Sequence, residues 1–300
     1  MQSYSGSAYG SVEEECYSIL LLQNKFVVYS YHYRHRRELC LKLHIPMSRV
    51  PSDIGVLDFK DSTIKRITNT TSVSEYHPAW SPSNNKITFV SYAITDSGFL
   101  KSGEADIFMF DIASQQTSRI SNTPATIEAS PIWIDDQNIA YLMPQINKYT
   151  NAPINGQVGI GIINIASQEN RLVSTEALNE YSFLQYLPTI QVLVAFSPKS
   201  TGGIFILYKL DGELIDKFTT PDKYKCSILD TYPYKLLCSD TTSIQLYTPS
   251  NNQFEKLIDI KQDYFYNPTA FIGLVEPEGF IVIDQEAGII HQYLRDGTLL

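Results

Sequence analysis

The sequence predicts an all-β fold, a six-bladed β-propeller of four-stranded antiparallel blades spanning residues 1–300 as one domain. Three observations carry this. Short runs of alternating apolar and polar residues succeed one another with turn residues between them, the period-two signature of half-buried strands. Two marks recur at one offset. Glu75-x-x-Pro78-x-Trp80 returns 53 residues later as Glu128-x-x-Pro131-x-Trp133. Arg66-Ile67-Thr68-Asn69-Thr70 returns as Arg119-Ile120-Ser121-Asn122-Thr123 and as Arg171-Leu172-Val173-Ser174-Thr175, at spacings of 53 and 52 residues. Finally, only 18% of residues are charged and 20 are tyrosine, a composition that suits a pleated, half-buried surface.

Residues 1–15 are small and polar. They are assigned to closing the ring on the sixth blade, because an open edge strand is a liability. The first blade takes strands over 16–22, 25–33, 54–59 and 63–67. The second takes 76–80, 86–92, 106–112 and 117–120, with Ile87, Phe89 and Val90 directed inward. Its turns are Ser81-Pro82-Ser83-Asn84-Asn85 and Ser114-Gln115-Gln116, since Pro fixes φ and Asn tolerates positive φ. The third takes 130–134, 138–142, 158–165 and 170–173. Gly159 and Gly161 alternate on one face there and imply a close neighbouring backbone. The fourth takes 181–185, 191–196, 203–210 and 213–218, turning at Asp211-Gly212. The fifth takes 225–229, 235–239, 243–247 and 253–258, turning at Ser250-Asn251-Asn252. The sixth takes 269–275, 279–284, 288–294 and 298–300, turning at Asp296-Gly297. Each unit matches the roughly 40–45 residues of a four-stranded blade, with insertions. No long amphipathic helix is present, so no second domain is expected.

The stretch 75–123 resembles the propeller repeat of the TolB-like family. The matching residues are Pro78, Trp80, Ser81 and Pro82, then Ile87 and Phe89, Asp106 and Ile107, and Arg119 to Asn122. The family's Asp-Gly turn is replaced by Ser83-Asn84. The resemblance implies a propeller and a periplasmic or extracellular setting. It says little about activity, because one fold carries unrelated functions. Full-length TolB proteins add an α/β domain ahead of the propeller, for which six blades leave no room in this chain. The Tol role is therefore not carried over.

Net charge is −9, which argues against general nucleic-acid binding. No apolar run reaches the length of a membrane span. Ile19 to Leu22 is too short for a signal core, and the acidic Glu13-Glu14-Glu15 precedes it, so no signal peptide is expected in this chain. Compartment and oligomeric state stay open. Of the four cysteines, Cys16, Cys40, Cys226 and Cys238, none makes a Cys-x-x-Cys pair, which disfavours zinc. Cys226 and Cys238 flank Tyr232 symmetrically and would face each other across a hairpin, leaving two readings open, a disulfide or buried free thiols.

Three insertions, at about 34–53, 93–105 and 143–157, all fall between second and third strands. They build up one rim over blades one to three, where long loops carry function. Glu75, His77 and Glu128 precede or open innermost strands, near the expected mouth of the central channel. Such a set accepts a divalent metal, but polar residues bonding the start of a blade are the stronger reading, and no metal or cofactor is assigned. Tyr33, Arg34, Arg36 and Arg37 belong to the only basic and aromatic cluster, which suits an anionic ligand or acidic partner. No catalytic residue is assigned. Gly6-Ser7-Ala8-Tyr9-Gly10 has alanine where a nucleophile elbow needs serine, and no His-Glu-x-x-His or Walker loop occurs. Asp96, Asp106 and Asp111 have no partner that spacing identifies. The leading expectation is a non-enzymatic module presenting the loop-rich face of blades one to three to a protein or peptide, with a glycan as the other candidate. The alternative is a propeller enzyme, of lyase or hydrolase type, with its site in the central channel. Trp80 and Trp133 are expected to fill wedges between blades, with Phe183, Ile228 and Phe271 taking that position later.

Overall fold

The computed structural model describes residues 14–23, 26–33, 52–58, 63–70, 72–94, 100–122, 128–146, 153–178, 182–198, 203–222, 224–229, 231–240, 243–259, 271–275, 279–284, 289–294 and 298. The described residues are all-β, and their strands form antiparallel sheets of consecutive strands. The chain divides into two compact units that meet in sequence at Glu180 and Tyr181.

The first unit holds three four-stranded sheets. The first sheet is β1 (Glu14–Gln23), β2 (Phe26–Tyr33), β3 (Ser52–Asp58) and β4 (Thr63–Arg66). The second is β5 (Val73–Trp80), β6 (Lys86–Ile94), β7 (Leu100–Asp111) and β8 (Gln116–Arg119). The third is β9 (Ala129–Trp133), β10 (Asn138–Ile146), β11 (Pro153–Asn164) and β12 (Asn170–Leu178). The 53-residue repeat is also a repeat of backbone shape. His77 and Ser130, 53 apart, both adopt positive φ, 51° and 49°. Each lies where the pairing of an innermost strand with the next slips by a residue, a bulge. Gln115 and Gln168, also 53 apart, take φ of 58° and 59° in the last hairpin turns. Asn84 takes φ 58° in the expected turn, whose ends are tied by Asn84 N–H to Ser81 O at 2.9 Å.

Trp80 and Trp133 are the last residues of β5 and β9, and both are buried. Trp80 packs with Ile54 and Val56 of the preceding sheet and with Ile87, Phe89 and Phe110 of its own. Trp133 does the same one sheet on, against Ala79, Ile107 and Ile120, and its Nε1 donates to Ala79 O at 3.1 Å. A buried indole needs such an acceptor. Of the two glycines, Gly159 lies under a neighbouring backbone as expected: a Cβ there would stand 2.6 Å from Ser174 O. Gly161 differs, since a Cβ would meet the side chains of Met143 and Tyr141.

The second unit has two four-stranded sheets and one of three described strands. They are β13 (Phe183–Leu187), β14 (Val192–Pro198), β15 (Gly203–Tyr208) and β16 (Leu214–Thr219); β17 (Lys225–Ile228), β18 (Leu236–Ser239), β19 (Ser243–Thr248) and β20 (Gln253–Asp259); and β21 (Phe271–Val275), β22 (Gly279–Asp284) and β23 (Ile289–Leu294). Of the expected strand over 298–300 only Thr298 is described, outside any strand, and of the ring-closing residues 1–15 only Glu14 and Glu15 are described, paired with β2 in the first sheet. Cys226 and Cys238 are partners across the β17–β18 ladder and form a disulfide.

The proposed substitutes for tryptophan need one correction. Ile228, the last residue of β17, is buried as expected, but Phe183 is 46% exposed. The position at the end of β13 belongs to Leu187, fully buried in the same core cluster as Ile228. Phe183 opens its strand, whereas both tryptophans close theirs, and four residues place it at the other end. Nothing is described of the Phe271 side chain. The insertions are a second correction. Those at 93–105 and 143–157 are largely strand, because β6–β7 and β10–β11 extend, each across a register shift, to the outer pairs Ile94↔Leu100 and Ile146↔Pro153. Residues 34–51 lie outside the described residues.

Two outcomes test this packing. Trp80→Ala or Trp133→Ala lowers stability by about 3–5 kcal/mol in denaturant titration, the usual cost of truncating a buried aromatic. Replacing both Cys226 and Cys238 by alanine costs about 2–4 kcal/mol, the typical contribution of a disulfide. That loss is read from hydrogen exchange at β17–β18, against little change at β5–β6.

Candidate functional site

The candidate residues sit at the joints between successive sheets, where a chain leaving one outer strand enters the next innermost strand. Carboxylates entering a protein interior need donors, and the repeat supplies them. At the first joint, Glu75 of β5 is buried. Thr70 Oγ1 donates to Glu75 Oε1 at 2.8 Å. Thr68 Oγ1 lies 3.2 Å from Glu75 Oε2 and 3.3 Å from Asp53 Oδ1, and it accepts from Ile54 N–H at 2.7 Å. Asp53 also accepts from Thr70 N–H at 3.0 Å and pairs with Arg66.

The second joint repeats this arrangement with different side chains. Ser121 donates to buried Glu128 and accepts from Ile107 N–H at 2.8 Å. Arg119 pairs with Asp106 at 2.5 Å, and Glu128 N–H donates to Ala105 O at 3.1 Å. In the second unit Thr220 keeps one part, accepting from Gly203 N–H at 2.8 Å. In the register of the third sheet Gly159 and Leu172 stand in the places of Asp106 and Arg119, so it lacks the ion pair, while Ser174 keeps a hydroxyl in the place of Ser121.

Electrostatics separate these groups. Burial raises Asp53 to about 6, against bonds from Thr70, Thr68 and Glu75. Burial raises Glu75 to about 7, with the Asp53 charge adding and the threonines and Arg66 opposing. Burial alone holds the His77 imidazole down at about 4. It is therefore neutral at neutral pH. Its ring lies 6.5 Å from that of Tyr76, which packs edge-on against Tyr92 at 5.5 Å. Burial lifts Tyr92 to about 12. Tyr141 is also raised, by burial and then by the charge of Glu128.

The structure thus places Glu75 and His77 on β5 and Glu128 just ahead of β9, each carboxylate bonded inside its own joint. Among the described residues no group of three or more His, Cys, Asp or Glu is placed to hold a metal ion, and no helix is long and apolar enough to cross a membrane. Tyr33 closes β2, and Arg34, Arg36 and Arg37 lie outside the described residues, as does Asp96. Asp106 finds its partner in Arg119, and Asp111 caps its turn by accepting from Ser114 N–H at 2.8 Å. The residues that spacing alone did not single out are Asp53, Arg66, Thr68 and Thr70. The signal was present: Asp53 and Asp106, Arg66 and Arg119, Thr68 and Ser121, and Glu75 and Glu128 all stand 53 apart.

The chain has a β-propeller-type fold, related at low identity to several propeller proteins. It is similar to TolB from Acinetobacter baumannii, with 10% identity and a TM-score of 0.50, covering 96% of this chain and 78% of that one. A chain of a nidogen–laminin complex gives 9% identity and a TM-score of 0.53, over 83% and 88%. The acylaminoacyl peptidase of Pyrococcus horikoshii gives 12% identity and a TM-score of 0.54, covering 100% of this chain. This chain spans only 47% of that peptidase's length. No family model matches the sequence, and no curated protein does.

The two halves of the clasp should differ in worth. Ser121→Ala leaves a buried carboxylate short of a donor and costs about 1–3 kcal/mol. Arg119→Ala breaks a largely exposed pair and costs less than about 1 kcal/mol. Urea titration of both variants reads the difference.

Proposed function

We propose that this chain is a propeller of the hydrolase kind that takes a peptide, with its site in the central channel of one six-bladed ring spanning 1–300 and closed by residues 1–15. The observation that carries the reading is His77. Its backbone shape is shared with Ser130, so the imidazole is what distinguishes the second sheet. A side chain held at positive φ by its surroundings marks a candidate functional position. A neutral imidazole beside Tyr76 offers a peptide both a donor and an acceptor. The likeness of the whole chain to part of a peptidase supports the same reading. In this reading Tyr33, Arg34, Arg36 and Arg37 bind the peptide's carboxylate end, as guanidinium groups do bidentately. Glu75 and Glu128 hold the strands that carry the site. The Cys226–Cys238 disulfide supports a periplasmic or extracellular setting, since disulfides persist in oxidising compartments.

A second reading is a non-enzymatic module that presents the face of blades one to three to a protein, peptide or glycan. The paired extensions of β6–β7 and β10–β11 favour it, because a stiff ribbon is a ready contact surface. The likeness to TolB and to a chain of the nidogen–laminin complex agrees.

Calorimetry and cleavage assays with a short-peptide library separate the two readings. The first expects micromolar peptide binding, weakened about tenfold or more by His77→Ala and by Arg34→Ala with Arg36→Ala and Arg37→Ala. The corresponding loss is about 1.4 kcal/mol or more. If short peptides are ignored while a protein or glycan is bound through 93–105 and 143–157, the second reading stands and the first fails.

A further inference from the structure

We propose that Asp53 and Glu75 share a single proton in the folded protein, making the joint between the first and second sheets a pH-sensitive latch. The geometry supplies the reason. Thr68 has one hydroxyl proton, yet its Oγ1 lies within 3.3 Å of Asp53 Oδ1 and 3.2 Å of Glu75 Oε2. The same oxygen accepts from Ile54 N–H. As a donor the hydroxyl serves one carboxylate at a time. A proton on one acid leaves the Thr68 hydroxyl to the other and removes the repulsion between two buried charges that meet at one oxygen. Thr70 fixes the pair further, its N–H on Asp53 and its hydroxyl on Glu75.

The second joint is the internal comparison. Asp106 there pairs with Arg119 on the more exposed side of the clasp, and Ser121 bonds Glu128. Among the described residues there, Ser121 is bonded to one carboxylate, that of Glu128. The first joint therefore titrates as a coupled pair, and the second is its control.

The charged and titratable groups around the pair are few. Arg66 is the cation on Asp53. Tyr31 stands in register with Asp53 on β2, with His32 and Tyr33 following it, and Ser91 stands opposite Glu75 on β6, followed by Tyr92. Tyr76 and His77 follow on β5, Lys65 precedes Arg66 on β4, and β1, which also packs beside β5, carries Glu14 and Glu15. On β9 no residue is titratable.

The sign follows from the raised values of both acids, about 6 for Asp53 and about 7 for Glu75. Below the unfolded carboxylate range both states bind the protons equally, and the latch contributes fully. As pH rises through 6 and 7 the folded state must give up a proton it holds more tightly than the unfolded chain does, so stability falls. His77 works in the opposite sense, since its depressed value removes stability as pH falls. Comparison of the wild type with Glu75→Gln cancels that contribution. Glutamine keeps the shape of a protonated Glu75 and can donate permanently to Asp53.

The test is guanidinium unfolding of the full chain at pH 5, 6, 7 and 8. The wild-type midpoint, taken relative to Glu75→Gln, is expected to fall between pH 5 and 8, with about half the change complete by pH 6 and most of it by pH 7. The Glu75→Gln protein is then at least as stable as the wild type at pH 8. A Glu75→Gln penalty that is the same at every pH overturns the proposal. Should Glu75→Gln fail to fold, carbon-detected NMR of carboxyl-labelled wild type decides. A glutamate titrating near 7 whose midpoint moves down in Asp53→Asn supports the latch, and a midpoint unmoved by that substitution overturns it. Glu128→Gln, carried through the same series, is expected to show no pH-dependent gain.

Discussion

A buried carboxylate stands at the entry to two innermost strands of the first unit, Glu75 in β5 and Glu128 just ahead of β9, and this is the constraint on which the rest of each joint depends. A buried Glu75 or Glu128 costs several kcal/mol unless donors meet it. The donors come from the sheet before, as Thr68, Thr70 and Ser121. Thr68 and Ser121 also accept from N–H groups of their own sheet's third strand, those of Ile54 and Ile107. One threonine or serine thus satisfies a strand N–H behind it and a carboxylate ahead of it. The apolar half of the joint, Trp80 against Ile54 and Val56, then closes over a polar seam already satisfied. Neither half suffices alone: packing does not fix which strand end meets which, and the polar bonds do not exclude water.

The repeated shape explains why the residues vary while the architecture does not. His77 and Ser130 have unlike side chains but one backbone conformation. The bulge re-aims the strand after the carboxylate and before the tryptophan, so position, not chemistry, is what the fold reuses. That leaves side chains at the bulge free to specialise. The third sheet shows the limit of the scheme: Gly159 and Leu172 replace the ion-paired Asp106 and Arg119, and at Gly159 the backbone of Ser174 comes too close for a side chain.

Much of this was legible in the sequence. Alternation located the strands to within a few residues, and the 53-residue offset tied Trp80 to Trp133 before any contact was known. Asn84 and Asp211-Gly212 marked turns for a local reason, tolerance of positive φ, that needs no tertiary context. Phe183 was misread because hydrophobicity was trusted over register. A phenylalanine at the open end of a strand was matched to tryptophans at the closed end, while the correct Leu187 looked unremarkable. The Asp53 cluster was missed for a different reason. Its members come from β3, β4, the following turn and β5, and no single window of sequence holds both carboxylates with their threonines. The insertions were taken for loops because their residues break strict alternation, whereas pairing across a long hairpin tolerates such breaks.

The extended hairpins carry a consequence for how such chains diverge in length. Each extension prolongs a ladder whose partners are already fixed, Val90↔Ile107 and Ser91↔Asp106 in one case and Leu142↔Ile160 and Met143↔Gly159 in the other. Lengthening by one residue on each strand preserves the pairing of everything below it. A residue added to one strand alone turns the outer part over, face for face, or forces a bulge. Insertions and deletions within the regular part of each ladder are therefore expected to come in matched pairs. Unmatched residues collect farther out, as here, where residues 101–104 face Ala93 and residues 154–157 face Gln145.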